Sequence, residues 1–118
     1  MTGREWVIEA HGCDEASLRD LAKAETLFAK LVAGLMLNPV EPAQWHRFPG
    51  PGGITGLLLL AESHLACHTF PEYRSMCLNV FCCRSRPDWD FSECLKSVFG
   101  ARRVDIRCLE RAYGEAGE

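Results

Sequence analysis

Four consecutive leucines, Leu57 to Leu60, followed by Ala61, form the most apolar run in the chain. As a strand, such a run is apolar on both faces, because successive side chains point to opposite sides. A sheet that contains it needs cover on both faces. Upstream stands Pro49-Gly50-Pro51-Gly52-Gly53, a strong turn signal. The expected strand therefore spans residues 54–63, ITGLLLLAES. It delivers at once into ESHLACHTFPE, residues 62–72, which gathers a carboxylate, a serine, two histidines, a thiol and a second carboxylate. A buried strand that ends in reactive groups is a rigid platform for chemistry.

The remaining elements follow from periodicity. Residues 5–11 alternate as a first strand, with Trp6, Ile8 and Ala10 on one face. Asp14 is the expected N-cap of one long amphipathic helix reaching Leu37, with its stripe on Leu18, Leu21, Ala22, Phe28, Leu31, Val32 and Leu35. Asn38-Pro39 stops it. Residues 40–48 read as an irregular strand, because Pro42 cannot donate to a ladder. Residues 76–83 alternate, with Cys77, Asn79, Phe81 and Cys83 on one face. Asp88 is the expected cap of a second helix that ends at Gly100. Residues 102–109 form a last strand, and the tail YGEAGE is expected to be mobile.

The order β-α-β-β-β-α-β implies an α+β fold of two layers, an antiparallel sheet with both helices on one face. At 118 residues the chain makes one domain. Helices cover one face of the sheet. The leucine run makes the other face apolar too, and a second copy of the same sheet is the economical cover, so a homodimer is expected. The net charge of −3, with no basic stripe, excludes nucleic acid as an expected partner. No apolar run approaches a bilayer span and MTGREWVIEA is not a signal peptide, so no membrane partner is expected and the cytoplasm is the expected compartment. Seven cysteines, an odd number without a secretory signal, read as reduced and mostly buried.

Simple chemistry narrows the reactive stretch. His64, Cys67 and His68 do not have a common zinc spacing. Cys82 and Cys83 are adjacent and point to opposite sides of a strand, so both cannot reach one metal; no metal site is expected. A cysteine–histidine hydrolase built on Cys83 or Cys67 lacks a fitting third group.

The run GITGLLLLAESHLACHTFPEY followed by LNVFCC resembles the small prokaryotic S-adenosylmethionine decarboxylases, pyruvoyl-dependent and self-cleaving enzymes of polyamine synthesis. The likeness extends weakly to Gly12-Cys13-Asp14 and His46-Arg47-Phe48. It implies a carboxy-lyase that supplies decarboxylated S-adenosylmethionine for spermidine biosynthesis. It implies self-cleavage between Glu62 and Ser63, giving a β chain (1–62) and an α chain (63–118). Ser63 then becomes the covalent pyruvoyl cofactor, which forms a Schiff base with the substrate amine and acts as an electron sink. His68 matches the processing base, Thr55 the processing hydroxyl and Cys83 the proton donor. A thiol suits that last role, since a pKa of about 8.5 keeps it protonated yet able to donate. Phe48, Phe70 and Glu72 match substrate-binding positions, two rings for adenine and a carboxylate for the ribose hydroxyls.

Strand parity adds a constraint. On one regular strand Thr55 and Ser63 share a face and lie roughly 26 Å apart, too far for one site. An antiparallel pairing of two sheets resolves this, with Ser63 and Cys83 from one protomer and Thr55, His68 and Phe48 from the other. The chain departs from the family pattern at Thr55 (usually serine), Phe70 (often tryptophan), Arg74 (usually glycine) and Asn79 (usually aspartate). Two other readings accompany the leading one: a pyruvoyl-dependent decarboxylase of ornithine or arginine, which needs an anion for the substrate's distal cation, and an unprocessed regulatory homologue.

Overall fold

In the computed structural model, which describes residues 1–115, the leucine run closes a strand and turns a corner. The elements are β1 (Thr2–His11), α1 (Glu15–Leu18), α2 (Leu21–Gly34), β2 (Gln44–Arg47), β3 (Ile54–Leu59), β4 (Ser63–Phe70), a 3-10 turn (Pro71–Tyr73), β5 (Ser75–Cys82), α3 (Phe91–Phe99) and β6 (Arg103–Ala112). The strands form one sheet in the order β2-β3-β4-β5-β1-β6, and every neighbouring pair is antiparallel. The α+β fold and the helices on one face agree with the sequence reading, with one strand more.

That extra strand corrects the reading of residues 54–63 as continuous. Leu60 to Glu62 form a tight connection, with the Leu60 N–H donating to the Ser63 carbonyl at 3.0 Å. The reactive stretch is therefore mostly strand β4, not a loop. The long helix is also two. Asp14 caps α1 as expected, accepting from the Ser17 N–H, but Asp20 caps a new helix by accepting from the Ala22 N–H. Leu18, Ala24, Leu27, Phe28, Leu31 and Leu35 are all buried across the break, so the apolar stripe does not reveal it.

Asp90, not Asp88, caps α3, leaving Trp89 outside the helix and packed edge-on to Phe91. Gly100 ends α3 at a φ of 69°, where a side chain would be strained. Of residues 40–48 only Gln44–Arg47 joins the sheet. The start of the tail is fastened: the Tyr113 and Gly114 N–H groups both donate to the Met1 carbonyl, and the Tyr113 hydroxyl donates to the Cys83 carbonyl at 2.9 Å. Residues 116–118 of the tail lie outside the described residues.

The core lies between sheet and helices. Ile8, Leu58, Leu65, Leu78 and Val80 from the sheet meet Leu27, Leu31, Leu95 and Phe99 from the helices. Each large side chain buried this way contributes about 1.5–3 kcal/mol. The other face of the sheet is open. Leu58 and Leu60 are buried, whereas Leu57 and Leu59 are 48% and 54% exposed on that open face. Among the described residues no helix is long and apolar enough to cross a membrane.

Candidate active site

Register brings the first group of residues together. Thr55 on β3 lies directly across from His68 on β4, and both face the open side. The Thr55 hydroxyl meets His68 Nδ1 at 3.0 Å. Phe48, Phe70 and Glu72 join them around a cavity of about 340 Å³. Phe48 and Phe70 are half-exposed, so they are cavity walls and not core. The neighbouring Thr69 points inward, accepts from the Ile54 N–H and donates to the Leu18 carbonyl, both at 2.8 Å. These bonds fix the floor of the cavity to the end of α1. Its proline-rich wall is held by Arg19, whose Nε donates to the Pro51 carbonyl at 2.8 Å. Arg47 in turn donates to the Arg19 carbonyl at 2.7 Å. Beside Thr55, Gly56 leaves room for Trp45, which would meet a Cβ there at 2.2 Å.

The second group lies at the other end of the same strands. The Glu62 carbonyl oxygen accepts a hydrogen bond from the Cys83 backbone N–H at 3.1 Å, and the Ala61 N–H donates to the Asn38 carbonyl at 2.8 Å. The peptide bond between Glu62 and Ser63 is thus pinned on both sides of the turn. The Glu62 side chain is only 3% exposed. Its carboxylate accepts from the Asn38 backbone N–H at 2.8 Å and from Asn38 Nδ2 at 3.1 Å, and lies 3.5 Å from Arg86 Nη2. Burial pushes this carboxyl up, but the two Asn38 bonds and the Arg86 charge outweigh it and hold it below the usual range. Cys83 opens onto a cavity of about 740 Å³ shared with Thr2, Arg84 and Tyr113.

Ser63 does not share a face with Thr55, as a continuous strand requires. Its partner on β5 is the buried Cys82, so its register position faces the helix layer. The chain doubles back at residues 60–62, so the separation is shorter than the straight-strand figure. Ser63 is five positions from His68 along β4, roughly 17 Å. The separation still exceeds the reach of one site, so Thr55 and His68 cannot act on the Ser63 of their own chain.

Two of the other thiols divide sharply from Cys83. Cys67 and Cys82 are fully buried on the helix side. Burial pushes their pKa values up to about 12 and about 11, which keeps both protonated and inert. Cys67 faces away from His64 and His68, so the three do not converge on one point. His64 belongs instead to a polar chain across the open face. Asn79 Nδ2 donates to Glu5 Oε2 at 2.8 Å, which leaves Asn79 Oδ1 as the acceptor facing His64 Nε2 at 3.0 Å. His64 Nε2 is therefore the protonated nitrogen. Arg111 completes the chain at Glu5. The Asn79 bond foremost, with Arg111 behind it, holds the Glu5 carboxyl below its usual range against the effect of burial. Glu9 faces the open side as well, paired with Arg107 at 2.5 Å.

Sequence reasoning missed Asn38, Arg86 and Arg19. Asn38 reads as a helix stop, and its second task, holding Glu62, depends on a contact 24 residues away. Arg86 sits in a loop with no periodicity to mark it. Arg19 falls in the apparent middle of a helix, where the break that frees its carbonyl is invisible.

Against this geometry the comparisons are consistent. The S-adenosylmethionine decarboxylase family model matches residues 4–112. An S-adenosylmethionine decarboxylase proenzyme of Prochlorococcus marinus (strain MIT 9313) is 36% identical, over 94% of this chain and 88% of that one. The S-adenosylmethionine decarboxylase proenzyme 2 of Halalkalibacterium halodurans is 39% identical over 95% of this chain and 87% of its own. The crystal structure of the adenosylmethionine decarboxylase from Aquifex aeolicus VF5 superposes with a TM-score of 0.78, at 24% identity and over 98% of this chain and 95% of that one, a likeness of fold. With the matched residues running from β1 through β6, the chain belongs to the S-adenosylmethionine decarboxylase family.

Proposed function

We propose that this chain is a proenzyme that cleaves itself between Glu62 and Ser63 and then decarboxylates S-adenosylmethionine. The observation that carries the reading is the grip of the Cys83 N–H on the Glu62 carbonyl oxygen. Attack of the Ser63 hydroxyl on the Glu62 carbonyl carbon puts negative charge on that oxygen, and a preset N–H donor there stabilises it. Collapse with loss of the Ser63 nitrogen gives an ester. A base then removes the Ser63 Cα proton, and the Glu62 carboxylate leaves. The dehydroalanine so formed takes up water and releases ammonia, which leaves a pyruvoyl group at the head of the α chain.

The residues present fit that group: Ser63 heads a strand, its acyl carbonyl is polarised, and a thiol one residue past β5 opens onto a cavity. When formed, the pyruvoyl group supplies the electron sink for loss of CO2. The Cys83 thiol delivers the proton that replaces the carboxylate. Phe48 and Phe70 receive the adenine, and their faces favour the sulfonium charge. Glu72 accepts from the ribose hydroxyls. His68, oriented by Thr55, is the base of processing.

Because Thr55 and His68 lie ~17 Å along the strand from Ser63, the reading needs a homodimer. A two-fold axis between two open faces, running across the strands at the level of Ala66, sets His68 of one protomer over the Ser63 end of its partner, and processing then requires Ser63 to turn from the helix side toward the open face. Ala66 is midway between His64 and His68 and is small enough for close approach. The assay is release of labelled CO2 from S-adenosylmethionine, with ornithine and arginine as comparisons. Turnover of S-adenosylmethionine alone is expected, and turnover of only an amino acid would overturn the substrate assignment.

A further inference from the structure

We propose that Arg86, with Arg84, is a preset receptor for the chain terminus that cleavage creates at Glu62; this rests on the processing reading above. Arg86 is unusually enclosed for an arginine, with its side chain 11% exposed. Its Nη1 donates to the Ser85 carbonyl at 2.9 Å and its Nη2 lies 3.5 Å from Glu62 Oε2. Its Nε is buried and has no partner among the described residues. A buried, charged donor left unpaired is costly, and native chains rarely keep one without a use.

The surroundings say what that donor awaits. Asn38, Ala61, Glu62, Arg84 and Arg86 line a cavity of about 400 Å³. In the intact chain two cations face one carboxylate there, and that carboxylate is already held by both Asn38 donors. Cleavage breaks the Glu62–Ser63 link and leaves Glu62 with a second carboxylate, on the backbone carbon beside the same cavity. The lining charge then balances, and the free Nε–H gains an acceptor. Guanidinium groups suit this task because they bind carboxylates through two parallel bonds.

Arg84 and Arg86 lie in the α chain and Glu62 ends the β chain. The receptor therefore joins the two products across the cut. It holds the new terminus back from the pyruvoyl end, so that the carboxylate does not occupy the substrate's place.

The test compares Arg86→Gln in two backgrounds, the self-processing chain and the uncleaved Ser63→Ala chain, by thermal unfolding, with mass spectrometry establishing the cleavage state of each sample. The expected result is a Tm loss about 5 °C larger in the cleaved protein than in the uncleaved one, with the excess shrinking as salt is raised. Equal losses in both backgrounds overturn the receptor while leaving processing intact. An Arg86→Gln chain that folds but does not cleave also overturns it, since the residue would then act before the carboxylate exists. A wild-type chain that stays whole removes the processing reading, and the receptor with it.

Discussion

At the scale of single residues, the proposed function gives Cys83 two tasks on two different atoms. Its backbone N–H grips the Glu62 carbonyl, while its thiol opens onto the cavity beside Tyr113. Substitution separates them. Cys83→Ala keeps the N–H and is expected to cleave normally, yet to lose about 100-fold or more in decarboxylation through loss of the acid. Mass spectrometry and the CO2 assay read the two effects independently, and loss of cleavage in this variant would place the thiol in processing. The thiol's candidacy came from the resemblance of LNVFCC to the family pattern, which implies a proton donor at the position of Cys83. The backbone role was not legible, since every residue but proline offers an N–H and only register assigns it to Glu62. The same holds for the clamp on Glu62, assembled from Asn38 and Arg86 far apart in sequence.

At the scale of elements, the hairpin of β3 and β4 is the feature the sequence concealed. Leu60-Ala61-Glu62 has no glycine, proline or asparagine to signal a turn, and Leu60 is buried like Leu58 in the strand before it. The turn is stabilised from outside, by Asn38 and Cys83. The break between α1 and α2 is hidden for a related reason, because Asp20 caps a helix whose apolar stripe continues that of its predecessor. The connection from β4 to β5 is more readable. Arg74 has a φ of 51°, in the left-handed region, and its carbonyl accepts from the Cys13 N–H at 2.9 Å. Glycine adopts that conformation without strain, which gives a physical reason for the glycine usual there in the family. Arg74→Gly is expected to stabilise the chain by about 0.5–1 kcal/mol. Urea unfolding checks it, through a higher midpoint at unchanged slope; a lower midpoint would mean the arginine side chain contributes more than its backbone strain costs.

For the whole molecule, the two-layer α+β fold and the covered face were legible, since alternation and helical stripes report burial directly. The open face was legible only in outline: the leucine run says that it is apolar, and register says which leucines lie on it. Leu59 is expected to be covered by the partner, so Leu59→Glu places a carboxylate in that contact. Sedimentation should then show a monomer, and cleavage should fall with it, because in the proposed dimer His68 serves only the Ser63 of the partner chain. A dimeric Leu59→Glu protein that cleaves fully would refute the shared site. Self-processing of the whole molecule turns on one bond, between Glu62 and Ser63. Intact-mass measurement of the purified protein is expected to find two chains, residues 1–62 and residues 63–118, the second without a free amine at its head, and a single chain for Ser63→Ala. A wild-type protein that remains one unbroken chain, or that is cut at any other peptide bond, would contradict it.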